Sequence, residues 1–347
     1  MSDDLPEEVL IEVLLRLPTK SIIQWYSLLT SSNFISIHLN NNQDDYLLVR
    51  HNSGEPEKEI YALFCDNENF DEYVEFDFPF ECGRLNIVGS CNGLLCFSDD
   101  YRIGGFRDLF YLWNPSIRKS FQLPQPIFTL ETRGPRGFDH THGFGFDRVT
   151  NDYKVVRIVP TNEVPPHVEL HKLSTGVWQD ITHVSPHLEF LVRIPGVYVN
   201  GACHWVASGR QNMIVLFDVH EEKFSDIMAP DSLVNKSLGS FGGGCLILLL
   251  GFKFTLFGGC LHGGDGIIDI WLMKEYGEAE SWMKQFRIKL SHITYPVDVV
   301  DVFFSPLSFL ERPIASRKNG EILWRADEGL LVSYDPATEK IKESWHS

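Results

Sequence analysis

Apolar positions in the first forty residues recur with the period of a helix. Leu5, Val9, Leu10, Val13, Leu14 and Leu17 fall on one broad face of residues 4–17. Asp4 can cap the start, with Glu7 three positions on to complete a capping box. Pro6 fits the first turn, and Glu7 and Glu8 suit the positive end of the helix dipole. Pro18 stops the helix, because the residue before a proline avoids helical geometry. A second helical stretch is predicted from Thr19, with Ile22, Ile23, Leu28 and Leu29 apolar, and Ser32–Leu39 continues it or starts a third. The polar run Asn40–Asp45 breaks the pattern, so we divide the chain into a helical segment, 1–40, and a large remainder, 46–347, joined by a protease-sensitive link.

After Tyr46 the period changes from 3.6 to 2, the spacing of half-buried strands. Glu75–Glu81 alternates acid with aromatic and predicts a half-exposed strand near a sheet edge. Asn92-Gly93 separates Ile87-Val88-Gly89 from Leu94–Phe97, a hairpin signal with a mechanism, since both turn residues tolerate positive φ. A hairpin-like unit then recurs around Trp113, His171, Phe217, Trp271 and Tyr334, anchors that lie 58, 46, 54 and 63 residues apart. Spacing near the ~40–50 residues of a propeller blade, with one aromatic or histidine per unit, predicts a mainly β chain with a small α N-terminal segment and a propeller-like domain. A multi-hairpin sandwich is the competing architecture. Leu246–Leu250 and Phe252–Phe257 flank Gly251 between two similar Gly-Gly-rich runs, and we read 241–261 as an extra hairpin inserted in one unit.

Composition adds turns and aromatics: 27 Gly, 18 Pro and 25 Phe in 347 residues. The net charge of −17 is concentrated at one end. Residues 1–81 hold 17 acidic and 4 basic side chains, and the rest holds 30 and 26. With no basic stripe, neither nucleic acid nor an anionic membrane is an expected partner. Seven irregularly spaced cysteines without a Cys-x-x-Cys fit buried thiols in a reducing compartment. The acidic start lacks a signal peptide's basic region, and the apolar run Cys245–Phe257 is too short to span a bilayer. A cytoplasmic or nuclear location is expected.

Catalytic motifs are missing. Gly143-Phe144-Gly145-Phe146-Asp147 lacks the third glycine and following helix of a dinucleotide loop, and Gly263-Gly264-Asp265-Gly266 lacks the Lys-Ser/Thr of a phosphate loop. No Gly-x-Ser-x-Gly elbow occurs. Asp139-His140-Thr141-His142 has metal-ligand residue types but no further ligand pair at a recognisable spacing, so a structural role is the better reading. His204 beside Trp205 reads as a satisfied strand histidine. The acidic stretch Asp66–Glu81 reads as a solvated edge. No cofactor or metal is expected, and the chain reads as a non-enzyme.

The helical segment resembles an F-box, through Leu5-Pro6-Glu7-Glu8-Val9-Leu10, then Leu17-Pro18, the helical stretch after it, Trp25 and Ser31–Phe34. The remainder resembles the F-box-associated, kelch-like propeller domain of plant F-box proteins, especially the S-locus F-box-like group. Gly89–Cys96, Leu112–Lys119, His142–Asp147, Asn151–Arg157, Asn200–Trp205 and Ile270–Gly277 carry that likeness in order. The resemblance implies a substrate-recognition subunit of an SCF-type cullin ubiquitin ligase. Leu5, Pro6, Val9, Leu10, Val13, Leu14, Leu17, Pro18, Ile22 and Ile23 would dock a Skp-type adaptor, joined to a cullin scaffold, and the β domain would bind a target protein. Three departures stand out, one of them the near duplication of Phe241–Leu246 and Phe257–Leu261 around the apolar insert. About two turns of helix usual in the family are missing between Gln24 and Trp25, and the chain ends before the family's usual final strand, so incomplete ring closure is expected. The alternatives are a free-standing propeller with a non-functional F-box, or a propeller enzyme.

Overall fold

Helices form where the 3.6-residue pattern places them, and strands begin where the pattern switches to 2. The computed structural model describes residues 7–29, 31, 33–34, 37, 46–53, 58–65, 67, 72–76, 79–80, 85–99, 109–128, 140–160, 165–186, 189–190, 196–208, 213–229, 248–252, 255–262, 267–289, 313–317, 319–325 and 330–346. The chain divides into two units, 1–45 and 46–347. In the first, α1 spans Glu7–Leu15 and α2 spans Thr19–Leu29. Pro18 separates them, and its carbonyl accepts from the amides of Ser21 (2.8 Å) and Ile22 (3.2 Å) to start α2. That helix runs through Gln24–Trp25 without a break.

In the second unit the described strands form six antiparallel sheets in chain order. The first contains Tyr46–Ser53, Lys58–Cys65 and Glu72–Phe76. The second contains Asn86–Cys91, Leu94–Ser98, Phe110–Asn114 and Lys119–Gln122, and the third Thr141–Asp147, Asp152–Val159, His167–Lys172 and Val177–Asp180. In the fourth, Glu189–Phe190 and Val197–Val199 both pair with Ala202–Ser208, followed by Met213–Asp218 and Lys223–Met228. The fifth contains Leu248–Phe252, Thr255–His262, Ile267–Met273 and Trp282–Lys289, and the sixth Pro313–Ser316, Ile322–Arg325, Leu330–Asp335 and Lys340–His346.

Leading strands of successive sheets lie against one another from the second sheet to the sixth. This is a β-propeller. Sheet faces pack on sheet faces, so alternate residues of one strand enter different cores. Val168 and Leu170 join Trp205, Val215 and Phe217 between the third and fourth sheets. His171 and Trp178 point the other way, and Trp178 packs with Phe110 and Phe144 between the second and third sheets. Between the first and second sheets the core is aromatic: Tyr61 meets Phe97 and Trp113 edge-on at 6.2 and 6.3 Å. Each such fully buried side chain contributes roughly 1.5–3 kcal/mol relative to exposure.

The five anchors mark the architecture accurately. Trp113, His171, Phe217, Trp271 and Tyr334 each sit in the penultimate strand of sheets two to six. His171, Phe217 and Tyr334 face Trp178, Phe224 and Ile341 directly across the hairpin. A shared turn closes four hairpins. The side chains of Asn114, Asp147, Asp218 and Asp335 accept from an amide two or three residues on. The residue four positions later, Arg118, Asn151, Glu222 or Glu339, has φ between 51° and 56°. These are Asx turns ending in a left-handed residue. Asn92-Gly93, with φ of 51° and 75°, joins the first two strands of the second sheet as expected.

Three expectations change. Leu248–Phe252 and Thr255–His262 do pair as a hairpin, but as the first two strands of the fifth sheet, so 241–261 contributes to a blade and is not an insertion. The acidic strand begins earlier than expected and is described over Glu72–Phe76, at the edge of the first sheet, while Asp77, Phe78 and Glu81 lie outside the described residues. And the sixth sheet has four strands, as the second, third and fifth do, with the Arg317 guanidinium donating to the Asn67 carbonyl beside the first sheet.

Candidate functional site

The helical unit exposes the side chains that a helix normally hides. Val9, Ile11, Val13, Leu14 and Leu15 of α1 and Ile23, Trp25, Leu28 and Leu29 of α2 are all exposed, Leu15 to 78%. At 100° per residue Val9 and Val13 share one side of α1, while Ile11 and Leu15 share the opposite one. Glu8 and Glu12 lie on the same side as Ile11 and Leu15, so the continuous apolar face is the one that carries Val9 and Val13. A polar contact at the surface is Arg16 to Glu12 at 2.9 Å, and an exposed pair like this contributes little.

Of the ten expected docking residues, Val9, Val13, Leu14, Pro18 and Ile23 are exposed, and Leu17 and Ile22 are half-buried. Leu10 lies within α1, but its side chain is outside the described residues, as are Leu5 and Pro6 altogether. Ile11, Leu15 and Tyr26 were not legible as members of this surface. The signal was the second apolar pair at i, i+4 in α1, which a search for a single stripe passes over.

On the propeller, the buried polar groups knit sheets together. Asp147 accepts from the Thr150 hydroxyl (2.7 Å) and Lys154 Nζ (3.0 Å), with His220 Nδ1 at 3.2 Å. These bonds hold its carboxyl far below the usual range against the opposing effect of burial. Lys154 also donates to Glu222 (2.8 Å) and to the Val219 carbonyl (2.6 Å), both in the fourth sheet's turn. The same junction explains the Gly143-Phe-Gly145 pattern. A Cβ on Gly143 would lie 2.7 Å from Trp205, and one on Gly145 would lie 2.4 Å from Tyr198. The indole of Trp205 and the hydroxyl of Tyr198 donate to the His142 (3.1 Å) and Phe146 (2.6 Å) carbonyls.

His204 is buried and joins the fourth sheet to Tyr276. Its Nδ1 is 3.1 Å from the Val197 carbonyl, which can only accept, so Nδ1 carries the proton and Nε2 accepts from the Tyr276 hydroxyl at 2.7 Å. Burial pushes its pKa down to about 4, which keeps the ring neutral. His140 and His142 are buried with rings edge-on at 4.7 Å, and Asp139 lies outside the described residues. Among the described residues no cluster of three His, Cys, Asp or Glu could hold a metal ion, and no helix is long and apolar enough to cross a membrane. Taken together, the ionisable groups of the propeller act as staples between sheets, and the unsatisfied surface is the apolar helix pair.

A family model described as the F-box associated beta propeller domain matches residues 46–309. F-box protein At3g07870 of Arabidopsis thaliana is 27% identical over 390 residues, covering 98% of this chain and 87% of the relative. F-box protein CPR1 of the same plant is 25% identical over 376 residues, covering 97% and 83%. F-box/kelch-repeat protein At3g23880, also of Arabidopsis thaliana, is 27% identical over 334 residues, covering 88% and 85%. The first two alignments are longer than this chain, so those relatives carry residues that it lacks.

Proposed function

The chain belongs to the F-box associated β-propeller family, and from that premise we propose that it is a substrate receptor of an SCF-type cullin ubiquitin ligase, within the S-locus F-box-like group. Residues 1–40 are its F-box-like segment and 46–347 its target-binding propeller. The observation that carries the reading is the pair of short helices whose apolar side chains lie uncovered, in a chain whose larger unit is a propeller of this family. Leu5, Pro6, Val9, Leu10, Val13, Leu14, Leu17, Pro18, Ile22 and Ile23 dock the Skp-type adaptor, joined by Ile11 and Leu15 on the far side of α1. Such docking buries an apolar helix against a hydrophobic groove, read through anchors at i, i+3, i+4 and i+7. The chain itself does no chemistry: transfer of ubiquitin belongs to other subunits, in the cytoplasm or nucleus.

A second reading has its own observation. α2 ends at Leu29 without the extra two turns usual in an F-box, which favours a free-standing propeller with a non-functional docking segment. One experiment separates the two. The full-length chain, expressed with a Skp-type adaptor and a cullin, is expected to retain both through purification. A chain that elutes alone, folded and at its own mass, favours the second reading.

A further inference from the structure

Between the second and third sheets the chain runs as a strap, residues 123–128, into the side of the third sheet. The strap is held by its backbone. The Trp178 indole donates to the Pro124 carbonyl at 2.8 Å. Oε2 of Glu169 accepts from the amides of Ile127 (2.8 Å) and Phe128 (3.3 Å), and the Arg157 guanidinium donates to the Phe128 carbonyl at 2.9 Å. Arg157 and Glu169 are cross-strand neighbours that also bond each other, and both side chains are 0% exposed. The Phe128 ring stacks on His167 with centroids 4.3 Å apart.

Burying two full charges is expensive unless their remaining donors and acceptors are met. Here an irregular segment from outside the sheet supplies two amides to Glu169 and a carbonyl to Arg157. The contacts to Glu169 and Arg157 read two successive amides and a carbonyl, which any extended polypeptide offers. Side-chain contact falls on Leu123, which is buried in the core between the second and third sheets, on the buried Pro126 and on the stacked Phe128, while Pro124, Gln125 and Ile127 face solvent. This is the chemistry of a peptide-recognition site. We propose that the Glu169–Arg157 clasp is such a site, occupied by the chain's own strap, and that it accepts in exchange a target segment of the same chemistry: a proline, then an apolar and an aromatic residue with both amides free. The proposal rests on the propeller being the target-binding part and involves no residue of the helical unit.

The test uses the full-length chain and the synthetic hexapeptide Leu-Pro-Gln-Pro-Ile-Phe. Ile127→Pro removes one amide from the clasp, and Phe128→Ala removes the stack. Losing a hydrogen bond to a buried charge weakens the strap, so calorimetry should show the peptide binding Ile127→Pro at least about tenfold more tightly than the unmodified chain. Phe128→Ala should shift in the same direction, and a control peptide with proline in place of isoleucine should not bind. The proposal is overturned if the variants stay folded but take up no peptide, if the control binds equally, or if both variants lose cooperative unfolding. Adaptor binding by both variants stays unchanged if the receptor reading is right, so the two failures are distinguishable.

Discussion

Two glycines in the third sheet show how much one missing methyl group decides. Gly143 lets the Trp205 ring and Cys203 approach where a Cβ would sit at 2.7 and 2.8 Å. Both neighbours are buried, so neither can yield cheaply. Gly143→Ala is therefore expected to lower stability by about 3 kcal/mol, read by denaturant unfolding. His204 gives a pH signature. Its folded pKa of about 4 lies below the 6.5 of an unhindered ring. Between those values the unfolded chain takes up a proton that the folded chain refuses, so stability falls as pH drops from about 6.5 to 4, by no more than about 3 kcal/mol. Unfolding curves at pH 7 and pH 5 should show the loss, and His204→Gln, which keeps a donor and an acceptor without titrating, should flatten part of it. At this scale the sequence was half legible. Residue types excluded a dinucleotide loop at 143–147, but why Gly alternates with Phe there depends on Trp205 and Tyr198, more than fifty positions away.

Elements were the most legible level, because period and turn chemistry are local. Pro18 divides the helices, Asn92-Gly93 makes its hairpin, and each of the five anchors falls in the penultimate strand of its sheet. The first sheet was missed as a repeat although Tyr61, in the middle and therefore penultimate of its three strands, plays the same core role. The stretch 241–261 misled for the opposite reason. A continuous apolar run with glycines resembles an added hairpin, yet pairing with Ile267–Met273 makes it two strands of the fifth sheet. Deleting 243–257 is expected to abolish cooperative unfolding, followed by circular dichroism, because it removes the leading strand and part of the second. A deletion variant that melts as sharply as the full chain would return the segment to the status of an insert.

For the whole molecule, the question is what ties sheets far apart in the sequence to one another. The Arg317 guanidinium bonds Glu321 (2.9 Å) in the sixth sheet and reaches the Asn67 carbonyl, while the Ser333 hydroxyl donates to Glu321 at 2.5 Å. No sequence pattern announced this, since the partners are 250 positions apart. Arg317→Met leaves Glu321 buried without its cation, and a loss of about 3–5 kcal/mol is expected, measured as a lower midpoint in denaturant. The division of the chain into a helical unit and a strand unit, by contrast, was visible from the change of period at residue 46. What covers the helices is the central claim, and titration of a purified Skp-type adaptor into the full-length chain tests it most directly. The account predicts saturable binding that Leu14→Asp weakens by about thirtyfold to a hundredfold, on the order of 2–3 kcal/mol for one buried leucine replaced by a charge. Ile11→Asp should weaken it as well, and restoring two helical turns between Gln24 and Trp25 should strengthen it. Equal binding by the wild type and Leu14→Asp, or none by the wild type at high adaptor concentration, would contradict the account.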